Sequence, residues 1–258
     1  MRLSRQFQIS AGILMLLFGG LRDARAQHAT TAAAPPPLKL WSFDKDEIGE
    51  TPAGLLAKET RPGDKLGEWK VGADLTAPSR PNVLALTTNE PDHTFNLALF
   101  EATAYQDLDL RVRIRANTGK EDQGGGLLWR CQDENNYYVC RFNPLESNFR
   151  VYKVVGSKRS QLQSVELETE AGKWYEIRAV MVGDHITCYL DGKQYLDVQD
   201  DTFKKPGKIG LWTKADASSS FDDLAVYQPA AEKRALRRQT TPETAPADKS
   251  HEHGGAGH

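Results

Sequence analysis

The chain is poor in histidine, cysteine and methionine, with 6, 3 and 3 of them among 258 residues. It also carries little net charge, −2 with histidine counted as neutral, and no long apolar run. Each shortage excludes something. Only His93 and His185 fall in the strand-like middle of the chain, too few and too far apart for a zinc site. A near-balanced charge argues against nucleic acid held over the whole surface. The most apolar stretch, Ile9 to Leu21, is about 13 residues long, short of the ~20 that a helix needs to cross a bilayer. A long helical period is missing too, as is any internal repeat.

The two ends read as segments outside a folded unit. Arg2 and Arg5 precede the Ile9 to Leu21 stretch, and Ala24-Arg25-Ala26 follows it as a small-x-small cleavage site. That is the pattern of a secretory signal peptide over residues 1–26, so a mature chain starting near Gln27 is expected to be periplasmic or extracellular, with no membrane span. No cysteine follows the apolar stretch to accept a lipid. Residues 27–37 are small residues and prolines and read as a linker. Residues 229–258 are polar and aperiodic and read as a disordered tail, whose histidines have no fixed geometry for a metal. The remaining stretch, 38–228, is about 190 residues, enough for one all-β domain with a sizeable core.

Period-two alternation fills that stretch. In "DLDLRVRIRA", Leu108, Leu110, Val112 and Ile114 face one way and Asp109, Arg111, Arg113 and Arg115 the other. "KWYEIRAVMVGD" and "HITCYLDGKQYLDV" alternate likewise, and Asp191-Gly192 marks a tight hairpin because both central positions of its turn need positive φ. "GKIGLWTKA" sets Ile209, Leu211 and Thr213 against Trp212 and Lys214. Many short strands with such turns predict a sandwich or barrel.

"GGGLLWRCQDENNYYVCRFNPLESNFRVYKV" reads as three antiparallel strands. Closing the first turn at Gln132 and Tyr137 pairs Cys131 with Tyr138 and Trp129 with Cys140, and the next pairs Phe142 with Phe149. Leu127, Trp129, Cys131, Tyr138, Cys140, Phe142, Phe149 and Val151 then form a core face. Leu128, Arg130, Tyr137, Val139, Arg141, Arg150 and Tyr152 form the other, a row of guanidiniums and rings. In this register Cys131 and Cys140 are diagonal, while a slide of one residue per strand sets them opposite and permits a disulfide. Cys188 is the third cysteine, so an odd thiol is left over in either case.

These segments, with "WSFDKDEIGETPAGL" and "GKIGLWTKADASSSFDDLAVY", resemble a bacterial family of concanavalin A-like jelly-roll domains associated with 3-keto-disaccharide hydrolases and formerly of unknown function. The resemblance spans Leu38 to Tyr227. It implies two stacked antiparallel sheets, with a first strand near Trp41 to Phe43 paired to a last strand over Leu224 to Tyr227, and a concave sheet facing a saccharide or polysaccharide. It transfers no catalytic motif. The Glu-x-Asp-x-Glu strand of the related β-glucanases is missing as well, so a retaining mechanism with carboxyls about 5–5.5 Å apart has no visible basis.

The row of Arg130, Tyr137, Arg141, Arg150 and Tyr152 is the first candidate for ligand contact, since guanidiniums donate paired hydrogen bonds and rings stack on pyranose faces. As an alternative, it is an outer surface whose arginines lie over tyrosines and pair with acids. Trp212 and Lys214 would edge the same groove, with Asp216 in the turn beyond. Asn143, Glu146 and Asn148 occupy a turn, where such residues commonly bond to backbone; Glu146 is the acid best placed to reach over the rings. Asp44, Asp46, Asp222 and Asp223 would meet if the terminal strands pair. Their oxygens would suit a structural calcium ion, though solvated strand-end acids are the expected reading and no cofactor is expected to be required. Gly124 to Gly126 lacks the lysine and helix of a phosphate loop and reads as a close approach of backbones or a bulge.

Two functional classes fit these residues. In the first, Glu146 is a base removing the C2 hydrogen of a 3-keto-glycoside, with Arg130, Arg141 or Lys214 holding the enolate. In the second, the same groove binds a glycan without catalysis, as a binding or envelope scaffold module.

Overall fold

The computed structural model describes residues 35–63, 65–87 and 93–230. The export signal expected over 1–26, most of the linker and nearly all of the tail lie outside these residues. Among the described residues there are fifteen strands and no helix long and apolar enough to cross a membrane.

The strands form two antiparallel sheets. The first runs in the order β13 (Lys193–Gln199), β12 (His185–Leu190), β11 (Trp174–Val182), β6 (Leu108–Thr118), β15 (Ser218–Tyr227), β4 (Asn82–Thr87) and β3 (Glu68–Ala73). The short β1 (Lys39–Trp41) also pairs with β15, beyond the end of β4, and sets Trp41 opposite Leu224. That is the pairing of first and last strands implied by the resemblance. The second sheet runs β10 (Lys158–Glu166), β9 (Asn148–Val155), β8 (Asn136–Asn143), β7 (Gly125–Asp133), β14 (Lys208–Lys214), β5 (Phe95–Phe100) and β2 (Leu55–Thr60). The fold is the all-β concanavalin A-like jelly roll.

Alternation explains why the sheets stack. In β6, Leu108, Leu110, Val112, Ile114 and Ala116 are all buried in the inter-sheet core. The outward arginines find acids: Arg111 on Asp109 at 3.0 Å, Arg113 on Glu176 at 3.4 Å and Arg115 on Asp74 at 2.6 Å. Leu127, Trp129, Tyr138, Cys140, Phe142, Phe149 and Val151 supply the opposing side of that core, as their phasing predicts. Asp191 and Gly192 take the expected positive φ angles, 47° and 77°.

The β7–β8 hairpin departs from its expected register. Its turn closes with Asp133 opposite Asn136, in line with the expectation, but a bulge follows and the strands slip by two residues. Trp129 therefore pairs with Tyr138, and Cys140 with Leu127. A slip of two keeps each face intact, so Trp129 stays in the core. The bulge centres on Arg130, whose φ of 45° reverses the chain's parity locally. Cys131 consequently leaves the core face and packs with Tyr137 and Trp212 on the opposite side of the sheet. Cys131 and Cys140 thus lie on different faces, and all three cysteines are buried and unbridged.

Arg130 leaves the proposed row for the same reason. Its guanidinium donates to the backbone oxygens of Gln106 (2.7 Å), Phe203 (2.8 Å) and Gly183 (2.6 Å), with Asp107 at 3.5 Å. It ties three loops together at one end of the sandwich and does not face a groove.

Candidate functional site

The outer face of the second sheet carries the site. Residues paired across an antiparallel ladder point the same way, so one register line can be followed strand by strand. Trp212 on β14 pairs with Gly126 on β7, Gly126 with Arg141 on β8, and Arg141 with Arg150 on β9. Tyr137, Val139, Tyr152 and Phe95 share this face with Trp212. Gly126 has to be glycine: a Cβ there would collide with the carbonyl oxygen of Cys140. The glycine run therefore permits the close backbone approach its composition suggested.

Six of the nine residues proposed to contact ligand lie on this face: Tyr137, Arg141, Arg150, Tyr152, Trp212 and Lys214. The face is far less exposed than an outer sheet surface would be. Trp212 and Tyr137 are fully buried, Arg141 is 1% exposed and Tyr152 4%. Tyr137 plays a supporting part, its hydroxyl lying 2.8 Å from the Thr60 hydroxyl and accepting from the Trp212 indole N–H at 3.2 Å. That bond fixes the plane of the Trp212 ring.

The β8–β9 turn supplies the acid and amides at the rim. Glu146 accepts from Arg141 (2.9 Å), Arg150 (3.1 Å) and the Asn148 amide (3.0 Å), all through Oε2. Partial burial would raise its pKa, but the Asn148 amide and the two guanidiniums outweigh it and bring the carboxyl down to about 2. Asn143 is a bridge: its amide donates to Asp122 at 3.0 Å, and its oxygen accepts from the backbone N–H of Glu146 at 3.0 Å. Beside the turn lies a hollow of about 270 Å³ bounded by Glu146, Asn148, Arg150, Glu166 and Glu168.

Two residues of the site were not anticipated. Asp122, in the loop between β6 and β7, is 2% exposed and lies 3.3 Å from the Lys214 ammonium. Burial pushes its carboxyl pKa up, against the pull of Arg141 and Lys214, and the negative charge of Glu146 adds to the rise. The loop is held by Asp216, whose carboxylate accepts the backbone N–H groups of Lys120 (2.7 Å), Glu121 (3.0 Å) and Asp122 (3.1 Å). Asp216 thus positions Asp122 and does not itself enter the groove. Arg159, on the edge strand β10, lies over three rings at once, with its guanidinium carbon 4.5 Å from Tyr152, 5.0 Å from Phe95 and 5.8 Å from Trp212. Gly156-Ser157, with φ angles of 53° and 67°, makes the tight turn that brings β10 back alongside β9.

Arg141 has two guanidinium nitrogens, Nε and Nη1, that are buried without a hydrogen-bond partner; Arg159 Nη1 and Asn148 Oδ1 share that condition. Orphaned buried polar atoms are uncommon in folded proteins, and here three of the four are guanidinium nitrogens beside the Tyr152 ring.

Of the aspartates at the terminal strands, Asp222 departs from the expectation of solvated acids, while Asp44, Asp46 and Asp223 are partly exposed. Asp222 is fully buried and accepts from the Ser79 backbone N–H (2.8 Å) and hydroxyl (3.0 Å), while Asp44 accepts from the Asn82 N–H. Among the described residues no group of three or more His, Cys, Asp or Glu side chains is arranged to hold a metal ion.

The family described as the 3-keto-alpha-glucoside-1,2-lyase-like domain matches residues 57–226. The chain belongs to that family. The match takes in every residue of the site. No curated protein matches the chain. Among solved structures, the carbohydrate binding module CBM66 from Bacillus subtilis is similar, with a TM-score of 0.54 and 17% identity over 67% of this chain and 95% of that one. A Bacillus subtilis protein of unknown function with a galectin-like fold is similar too, with a TM-score of 0.53 and 12% identity over 75% of this chain and 96% of that one. At such identities both likenesses concern the fold.

Proposed function

We propose that this member of the family is an exported enzyme that cleaves a 3-keto-glycoside by elimination at the outer face of the second sheet. The observation that carries the reading is the buried Asp122 3.3 Å from the partly exposed Lys214, beside Arg141 and the rings of Tyr152 and Trp212.

A ketone at C3 acidifies the hydrogen at C2. A base takes that proton and the C–H electrons become the enolate. The enolate then collapses back to the ketone, a C1=C2 double bond forms, and the C1–O bond breaks with its electrons leaving on the glycosidic oxygen, which takes up a proton. Water adds across the enone to complete hydrolysis. The protein has to supply a base, cations for the enolate oxygen and a surface for the ring.

Asp122 suits the base better than Glu146, the residue sequence reasoning put forward. Three donors converge on Glu146 and hold its pKa at about 2, so it has little appetite for a proton near neutrality. Asp122 is buried and its pKa is raised, which strengthens it as a base. Once it carries the C2 proton, Asp122 can return it to the departing oxygen. Lys214 and Arg141 stabilise the enolate, and Glu146, with Asn143 and Asn148, positions Arg141. Tyr152 and Trp212, both buried, form the aromatic floor that carries the guanidiniums of Arg141 and Arg159. The scheme uses side chains alone.

The test is release of aglycone from a 3-keto-glucoside by the purified protein. Asp122→Asn should lower the rate by about 10²–10⁴-fold, while Glu146→Gln should act mainly through substrate affinity. Absence of turnover in the wild type, with a glycan still bound and released by Tyr152→Ala, would assign the groove to a binding module instead.

A further inference from the structure

We infer that the saccharide taken by this site carries an oxyanion substituent, seated between Arg141 and Arg159 over the ring of Tyr152. The inference deepens the proposed function by naming a substrate class. It rests on that reading for the sugar, while the anion follows from the side chains themselves.

The first observation is the pair of guanidiniums. Arg141 lies 5.9 Å and Arg159 4.5 Å from the centroid of the same Tyr152 ring. Arg141 is 1% exposed. Its Nε and Nη1, together with Nη1 of Arg159, are three buried donor nitrogens with no acceptor. Two cations converging on one ring repel each other in a setting that screens poorly. An arginine cannot shed its proton to relieve this.

The second observation is where the nearby carboxylates are spent. Glu146 reaches Arg141 only at Nη2, and the same oxygen also serves Arg150 and Asn148. Asp122 faces Lys214 and the Asn143 amide. Arg141, Arg150, Arg159 and Lys214 therefore set four positive charges against two negative ones in the site. Glu166 and Glu168 border the adjoining hollow, but both are exposed to solvent and neither makes an ion pair with Arg141 or Arg159. A neutral sugar offers hydroxyl acceptors but leaves the surplus charge in place. A carboxylate, phosphate or sulfate on the sugar supplies both acceptors and charge, and charge-assisted bonds from arginine are the strong ones.

The edge position of Arg159 fits a ligand clamp. β10 has a neighbour on one side only, β9, so the Arg159 side chain can lift from the rings without breaking the interior of the sheet.

Titration calorimetry on the full chain with D-glucose, D-glucuronate, glucose 6-phosphate and glucose 6-sulfate, alongside acetate, inorganic phosphate and sulfate alone, tests the inference. At least one charged sugar should bind about tenfold or more tightly than glucose, and than its free ion. The tightest of the three identifies the substituent. Arg141→Gln and Arg159→Gln should each erase the preference while melting temperature and circular dichroism show a folded protein; should Arg141→Gln fail to fold, the edge-strand variant Arg159→Gln decides. Equal affinity for glucose and all charged sugars, affinity for the free ions matching that for the sugars, or a preference that survives both substitutions would overturn it. Turnover of a neutral 3-keto-glucoside with no charge preference sinks this inference and leaves the proposed reaction standing. Charge preference without any turnover does the reverse.

Discussion

Arg141 and Trp212 are both register partners of Gly126, so the guanidinium and the indole stand on either side of a residue with no side chain. That gap is a backbone necessity as well as a space. Gly126→Ala should destabilise the fold by about 2 kcal/mol or more, since the Cβ meets backbone atoms of Cys140 and Arg141 that have no room to move. Urea denaturation reads this directly, and a near-neutral result would mean that the β7–β8 ladder is looser than its register indicates.

Arg130 makes a second prediction. Replacing it with Met removes the donors to three backbone oxygens, buried at Phe203 and partly buried at Gln106 and Gly183. The expected loss is about 3 kcal/mol. Sugar binding, measured at a temperature where the variant is folded, should hardly change, because the residue lies outside the groove.

The pH dependence of stability should carry two opposed limbs. Burial, opposed by bonds from Ser79, pushes Asp222 up to about 6 from an ordinary 3.8. The folded state thus binds its proton more tightly than the unfolded chain does, and stability falls as pH rises from about 4 through 6. Asp200 works the other way. Burial would raise it, but Lys153, Thr202 and Tyr138 hold it at about 2, so its contribution is present above pH 4 and lost as pH falls through 2. Denaturation midpoints across pH 2–8 should show Asp222→Asn flattening the upper limb and Asp200→Asn the lower one.

Activity should follow a different titration. If Asp122 is the base, the rate rises with pH through a midpoint above the ordinary carboxyl range, because only the ionised form accepts the C2 proton. Glu146→Gln should raise KM and move that midpoint downward, because the negative charge that adds to the rise of Asp122 is gone. An unchanged pH–rate profile in Asp122→Asn would remove Asp122 from the chemistry.

The thiols give a chemical check. Cys131, Cys140 and Cys188 are free and buried, and burial lifts Cys131 to about 12. Alkylation without reductant should leave the native protein unlabelled and add three groups to the denatured one, counted by mass spectrometry. One group in place of three would mean a bridge.

Much of this architecture was legible because burial imposes period two on every strand. Leu108 through Ile114, or Phe142 opposite Phe149, can be assigned to a face from sequence alone. The bulge at Arg130 was not legible: its positive φ falls on a residue that gives no glycine or asparagine signal, and so Cys131 and Arg130 were placed on the wrong faces. Arg141, Arg150, Tyr152, Trp212 and Lys214 were found because they follow the alternation. Asp122 was missed because a loop has no period to read, and its position depends on Asp216, 94 residues away in sequence. Arg159 was within reach, since Gly156-Ser157 is a hairpin signal that places the following strand beside Tyr152.

The union of β1 with β15 has a mechanical consequence. Leu38 donates its N–H to Val226, and Lys39, Leu40 and Trp41 run antiparallel to Val226, Ala225 and Leu224. The folded body is therefore entered and left at neighbouring points, so tension applied through both flanking segments loads these hydrogen bonds one after another. Peeled in that order, β1 detaches at low force while the register line from Trp212 to Arg150 stays assembled on the opposite sheet.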